Sequence, residues 1–222
     1  DPGDEVIIPA PYWVSYPDQV LLADGTPIIL ETRESENYAI DPNALEACIT
    51  PKTKALILNS PSNPSGSIYT RDTLRQVAAI ANKHKILVIS DEIYEKLVFG
   101  EPPFLSIVTV APECTEQTVV VNGISKAYAM TGWRVGYAAG PNTIIKAMSK
   151  IQGQATSCAN SVGQKAGITA LLGDQSCVEE MKNAFLKRRD LMVELLNDTP
   201  GRSEEHTSEL QSLVNLVCRL LL

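Results

Sequence analysis

Three short apolar runs each end in polar residues able to do chemistry. Ala55–Leu58 leads into Asn59-Ser60-Pro61-Ser62-Asn63-Pro64-Ser65-Gly66. Ile86–Ser90 leads into Asp91-Glu92-Ile93-Tyr94, and Thr118–Val121 leads into Asn122-Gly123-Ile124-Ser125-Lys126. Successive strand ends thus offer an amide, a carboxylate with a phenol, and a lysine, the groups that hydrogen-bond a ligand and move protons on it. Read singly, each has an ordinary explanation. Asn63 before a proline can be turn punctuation, Asp91 after a strand can cap a helix, and Lys126 can be a solvated surface lysine. Trp13 can belong to the core, and Arg134, in Gly132-Trp133-Arg134-Val135-Gly136, can pair with a neighbouring carboxylate.

The elements that must position these residues are legible in the hydrophobic pattern. Glu5–Ile8, Pro27–Glu31, Ala55–Leu58, Ile86–Ser90, Thr118–Val121 and Val135–Ala139 are short, apolar and rich in Val, Ile or Leu, which predicts strands. Between and after them lie helical patterns at Arg71–Lys85, Asn142–Lys150, Ser161–Leu172 and about Gln175–Asn197. In the first, Leu74, Val77, Ala78 and Ala81 share one face, with Thr70 as the expected cap. Unbroken apolar strands separated by amphipathic helices predict an α/β fold, a mainly parallel sheet sandwiched by helices. Ligands of such sheets bind beyond the carboxyl ends of the strands, where the polar residues gather here.

Composition narrows the function classes. The 222 residues carry 19 Lys and Arg against 26 Asp and Glu, a net charge of −7. That balance argues against a nucleic-acid partner, which would call for a basic stripe. No apolar run reaches the length of a membrane span, and no cationic leader opens the sequence, so no membrane partner is expected. Five scattered cysteines, never in a CxxC spacing, read as free thiols of a reducing compartment, and a cytoplasmic location is expected. With only His84 and His206, a histidine-based metal site has little to work with, and no metal site is expected.

Taken together, the segments closely resemble the class I, fold-type I aminotransferases that use pyridoxal 5′-phosphate. The resemblance rests on Pro11-Tyr12-Trp13-Val14-Ser15-Tyr16-Pro17, Ser60-Pro61-Ser62-Asn63-Pro64-Ser65-Gly66, Ser90-Asp91-Glu92-Ile93-Tyr94, Ser125-Lys126 and Gly132-Trp133-Arg134-Val135-Gly136-Tyr137. Order and spacing agree with it, with 28 positions from Asn63 to Asp91 and 8 from Lys126 to Arg134. It covers essentially residues 1–201.

The resemblance implies a role for each matching residue. Lys126 would form the Schiff base with the cofactor and then act as the base that moves a proton between substrate and cofactor. Asp91 would face the pyridine nitrogen and keep it protonated. Asn63 and Tyr94 would hydrogen-bond the ring's 3′-oxygen, and Trp13 would stack on the ring face. Arg134 would bind the phosphate with its fork of donors, with Ser125 as a further phosphate contact. Gly123 stands where many relatives carry another serine. Asp91, Tyr94 and Lys126 are therefore the expected catalytic residues.

Gln154, Ser157, Asn160 and Gln164, with the Trp13 segment and Met130-Thr131-Gly132-Trp133, resemble the branch that contains bacterial-type aspartate aminotransferases. The implied small-molecule partners are aspartate and 2-oxoglutarate, and the implied assembly of the full-length protein is a homodimer. Two other readings stay open: a pyridoxal-phosphate lyase or synthase of the same fold, and a non-catalytic, cofactor-binding remnant.

The ends of the sequence call for separate expectations. Asp1-Pro2-Gly3-Asp4 is turn chemistry leading directly into a strand, which reads as the middle of a protein. Residues 202–212 resemble one in-frame translation of a short-read sequencing-library adapter, so residues 202–222 are expected to be a non-native tail. Residues 1–201 are then a partial cofactor-binding large domain. It would lack the family's glycine-rich phosphate segment and the small-domain arginine that grips the substrate α-carboxylate, and alone it is expected to be inactive.

Overall fold

A computed structural model describes residues 1–198; the tail and the boundary expected at Gly201 lie outside the described residues. In chain order the elements are β1 (Glu5–Pro9), α1 (Ser15–Leu22), β2 (Thr26–Leu30), α2 (Pro42–Ala47), β3 (Thr53–Asn59), α3 (Arg71–His84) and β4 (Leu87–Asp91). They continue with α4 (Ile107–Val110), β5 (Thr118–Gly123), β6 (Gly136–Ala139), α5 (Asn142–Ala155), α6 (Ser161–Leu172) and α7 (Ser176–Asn197).

The six strands form one sheet in the order β2-β1-β3-β4-β5-β6. β1 to β5 run parallel, and β6 pairs antiparallel with β5. All six expected strands are present, and the mainly parallel sheet is as the pattern predicts. The reversal at β6 has a simple cause: no α-helix lies between β5 and β6, and without a crossover the chain can only return antiparallel.

α3 shows how sequence becomes packing. Thr70 adopts an extended backbone and its hydroxyl accepts from the Thr73 N–H at 3.2 Å, satisfying one of the helix's orphan donors. Leu74, Val77, Ala78 and Ala81, the face chosen by the spacing, are all almost fully buried. They join Leu56 and Leu58 of β3 and Val88 of β4 in the largest apolar cluster, so α3 holds the two strands whose ends carry the site. Truncating a side chain such as Leu74 there would cost about 2–5 kcal/mol.

Three helices were not foreseen in the pattern. α1, α2 and α4 are so short that a helical period cannot repeat within them. α1 buries only Tyr16 and Val20, yet these seat it against Ile8 and Ile57 on the sheet. The helices after β6 are covered unevenly. α5 has no buried residue, and α6 packs closely at Gly163, where an added Cβ would meet the Asn160 side chain at 2.8 Å and Val135 at 2.9 Å.

Candidate active site

The pairing register brings the chemistry together. Asn59 of β3 lies opposite Asp91 of β4, and Asp91 lies opposite Val121 of β5. The carboxyl ends of three neighbouring strands are therefore level, and the segments that follow them emerge side by side, as the topology of a parallel sheet requires.

Asp91 sits at the centre of this arrangement. Its Oδ1 accepts from the Ile93 N–H at 3.1 Å, and its Oδ2 accepts from the Tyr16 hydroxyl at 2.8 Å. Burial raises the Asp91 carboxyl above the ordinary carboxylate range, against the lowering effect of these two donors and of the Lys126 charge. Tyr16 is itself buried; desolvation and then the Asp91 charge push its hydroxyl far above its usual value, so it remains a donor. The neighbouring Glu92 is buried and turned the other way, its Oε1 accepting from Ser90 at 2.9 Å and from Ser106 at 2.8 Å. Its carboxyl is raised chiefly by burial.

Lys126 is half-buried, with Nζ 5.5 Å from the centroid of the Tyr94 ring, a cation–π distance. Tyr94 is buried among Leu97 and Phe185. The turn that presents Ser125 and Lys126 is closed by the Met130 N–H on the Ser125 carbonyl at 3.0 Å and the Ala129 N–H on the Lys126 carbonyl at 3.3 Å. Gly123, the last residue of β5, is tightly packed: an added Cβ would lie 3.0 Å from the Val135 carbonyl and 3.2 Å from the Gly136 Cα.

Asn63 is held through its backbone, its N–H donating to Asn59 Oδ1 at 2.8 Å. Trp13 is not a core residue. It is 41% exposed and meets the Tyr16 ring edge-on at 5.5 Å between centroids. Arg134 is exposed and adopts a left-handed backbone, φ 54°, with Nη1 donating to the Thr131 carbonyl at 3.1 Å. Among the described residues no carboxylate forms an ion pair with it. Asn160 fixes the turn beside it, donating to the Trp133 carbonyl at 3.1 Å while capping α6 through the Gly163 N–H at 2.6 Å.

The structure thus gathers Asp91, Tyr94 and Lys126 with Ser125, and ties Asn63 and Trp13 to Asp91 through Asn59 and Tyr16 respectively. Arg134 is presented from the loop between β5 and β6. Sequence reasoning gave Tyr16 and Asn59 no role. The signals for them are Tyr16 three positions after Trp13 and Asn59 at a strand end.

A mainly parallel sheet with this polar cluster at its carboxyl edge is the large-domain architecture of fold-type I aminotransferases. The chain belongs to the aminotransferase class I and II family, whose profile matches residues 1–215. It is 50% identical over 201 residues to an aspartate aminotransferase of Geobacillus stearothermophilus, covering 90% of this chain and 51% of that protein. It is equally 50% identical over 202 residues to an aspartate/prephenate aminotransferase of Nitrosomonas europaea, again 90% of this chain and 51% of that protein. The crystal structure of an aspartate aminotransferase from Rhizobium meliloti superposes with a TM-score of 0.87 at 44% identity, covering 93% of this chain and 53% of that one. The chain therefore spans about half the length of the curated relatives it matches. Among the described residues no helix is long and apolar enough to cross a membrane.

Proposed function

We propose that this chain forms the cofactor-binding part of an aminotransferase that uses pyridoxal 5′-phosphate to exchange an amino group between aspartate and 2-oxoglutarate. The observation that carries the reading is the placement of Asp91, a half-buried carboxylate, beside Lys126 at the ends of β4 and β5. When bound, the cofactor supplies an aldehyde for a lysine and a protonatable ring able to accept an electron pair. The donor set suits that group. A buried carboxylate whose charge is disfavoured by its surroundings is relieved by a cationic ring nitrogen. Lys126 Nζ is the nucleophile and proton carrier, Asn63 and Tyr94 supply donors for a ring oxygen, Trp13 offers an aromatic face, and Arg134 and Ser125 provide phosphate donors.

Aspartate is the favoured amino donor because relatives at 50% identity are named for it, while the prephenate relative widens the acceptor class. The same reading carries a cytoplasmic, homodimeric full-length protein. The reading rests on residues 1–201 as the domain, with residues 202–222 taken as a non-native tail. By itself the chain turns over little. It spans about half of its relatives' length, and the resemblance assigns the grip on the α-carboxylate to an arginine of the small domain. Lost positioning removes much of the roughly 7–11 kcal/mol that orientation contributes.

The test has two arms. The chain is loaded with pyridoxal phosphate, reduced with borohydride and mapped by mass spectrometry; the adduct is expected on Lys126 and is absent in Lys126→Ala. An adduct on another lysine would refute the assignment. The chain is then assayed with aspartate and 2-oxoglutarate beside a full-length relative. Negligible turnover is expected, and comparable turnover would overturn the argument from missing positioning. In the full-length protein, return of the cofactor from its amine form that depends on a keto acid supports the aminotransferase. Release of pyruvate and ammonia without a keto acid would favour a lyase instead.

A further inference from the structure

We propose that Asn59 is a positioning residue that sets the spacing between Asn63 and Asp91 through a single carboxamide. The inference rests on the functional reading above, which gives these two residues contacts to different atoms of one cofactor ring.

Asn59 is the last residue of β3 and is buried. Its Nδ2 donates to the Asp91 carbonyl at 3.1 Å, and its Oδ1 accepts from the Asn63 N–H at 2.8 Å. The orientation of the amide follows from its partners, since an N–H can only donate and a carbonyl can only accept. The Ser60 N–H adds a second donor to the Asp91 carbonyl at 3.2 Å. The backbone at the end of β4 is therefore clamped from β3. The Asp91 side chain is clamped separately, by the Ile93 N–H and the Tyr16 hydroxyl. Without Asn59, the loop carrying Asn63 would lose a side-chain tie to the strand end beside Asp91.

The residue type is dictated by the two partners. A donor and an acceptor must leave the same rigid plane in different directions, at the length of a short side chain, which among neutral side chains is the geometry of asparagine. Aspartate keeps the acceptor for Asn63 but turns the other atom into an oxygen facing the Asp91 carbonyl. Alanine removes both bonds. If Asn59 sets the spacing, loosening it moves quantities that depend on both contacts at once: cofactor affinity, and the pKa of the cofactor–lysine linkage.

The experiment compares the wild-type chain with Asn59→Ala, Asn59→Asp and, as a destabilised control whose hydroxyl bonds Thr73 in the α3 cap, Thr70→Ala. Pyridoxal phosphate affinity is measured by absorbance titration, and the linkage pKa by visible absorbance against pH. Asn59→Ala is expected to weaken binding about tenfold and to raise the linkage pKa by about one unit, a tenfold change in protonation equilibrium. Asn59→Asp is expected to bind weakly at neutral pH and to approach the wild-type affinity, measured at the same pH, as acidification protonates the new carboxyl and restores a donor. Thr70→Ala should lower the melting temperature and leave both site quantities in place. If Asn59→Ala cannot be obtained folded, the pH dependence of Asn59→Asp decides the matter. Unchanged affinity and linkage pKa in the Asn59 variants, in a chain whose wild-type form gives the Lys126 adduct, would overturn this inference alone. A wild-type chain that forms no adduct would overturn it together with the functional reading.

Discussion

The Tyr16 hydroxyl donates to Asp91 Oδ2 at 2.8 Å, across 75 positions of sequence. This bond links α1 to the end of β4 and gives the half-buried carboxylate a neutral donor. The same tyrosine meets the edge of Trp13, so one side chain orients both the group assigned to the ring nitrogen and the group assigned to the ring face.

Tyr16→Phe preserves the aromatic edge and removes the donor. A hydrogen bond to a charged group contributes about 1.5–3 kcal/mol. The Asp91 carboxyl should then titrate at higher pH than in the wild type, and pyridoxal phosphate should bind about tenfold more weakly. Carboxyl NMR titration with cofactor titration checks both, and an unmoved Asp91 would show that the phenol does not stabilise its charge.

Asp91→Asn separates stability from function. The folded-state pKa of Asp91 is raised, so its contribution to stability is fully present below the unfolded value and is lost as pH rises through the folded value. Without cofactor, the asparagine variant should therefore gain stability relative to wild type between acid and neutral pH, read from melting temperatures. In the full-length enzyme the same change should slow proton transfer at least a hundredfold, about 2.7 kcal/mol, while the cofactor still binds. A near wild-type rate at saturating cofactor would remove Asp91 from its assigned role.

Arg134→Lys keeps the charge and loses the paired donor geometry. Pyridoxal phosphate should lose affinity by about tenfold while pyridoxal, which has no phosphate, loses little. Parallel titrations with the two ligands give the answer, and equal losses would mean that Arg134 acts through the fold of its turn.

Gly123→Ser tests the packing between β5 and β6. The added Cβ would meet backbone atoms of Val135 and Gly136 at 3.0 and 3.2 Å, and backbone cannot step aside as a flexible side chain can. Overpacking of this kind costs about 1–3 kcal/mol, so the melting temperature should fall by several degrees. An unchanged melting temperature would show that β6 moves freely to admit the serine.

Much of the fold was legible because its signals are local. Strands such as Ala55–Leu58 are unbroken apolar runs, and the α3 face repeats at a helical period long enough to count. α1 and α2 escaped notice for the opposite reason. Pro17 and a length of eight residues leave α1 no repeating stripe, and six-residue α2 is shorter still. Both are defined by what they pack against.

The sequence by itself determined the kind of chemistry. Residue types at strand ends, with the order and spacing of Asn63, Asp91, Lys126 and Arg134, are local facts and single out the family. Only the tertiary structure decided how those residues are held. Tyr16 reaches Asp91 because α1 packs on β1 and β3, and Asn59 joins Asn63 to Asp91 because the β3–β4 register places the strand ends level. β6 turns back so tightly that a Cβ at Gly123 would press on the backbone of Val135 and Gly136. Hydrogen bonds between residues far apart in sequence depend on register and helix docking, which are set by burial summed over the whole sheet and leave no local pattern to read.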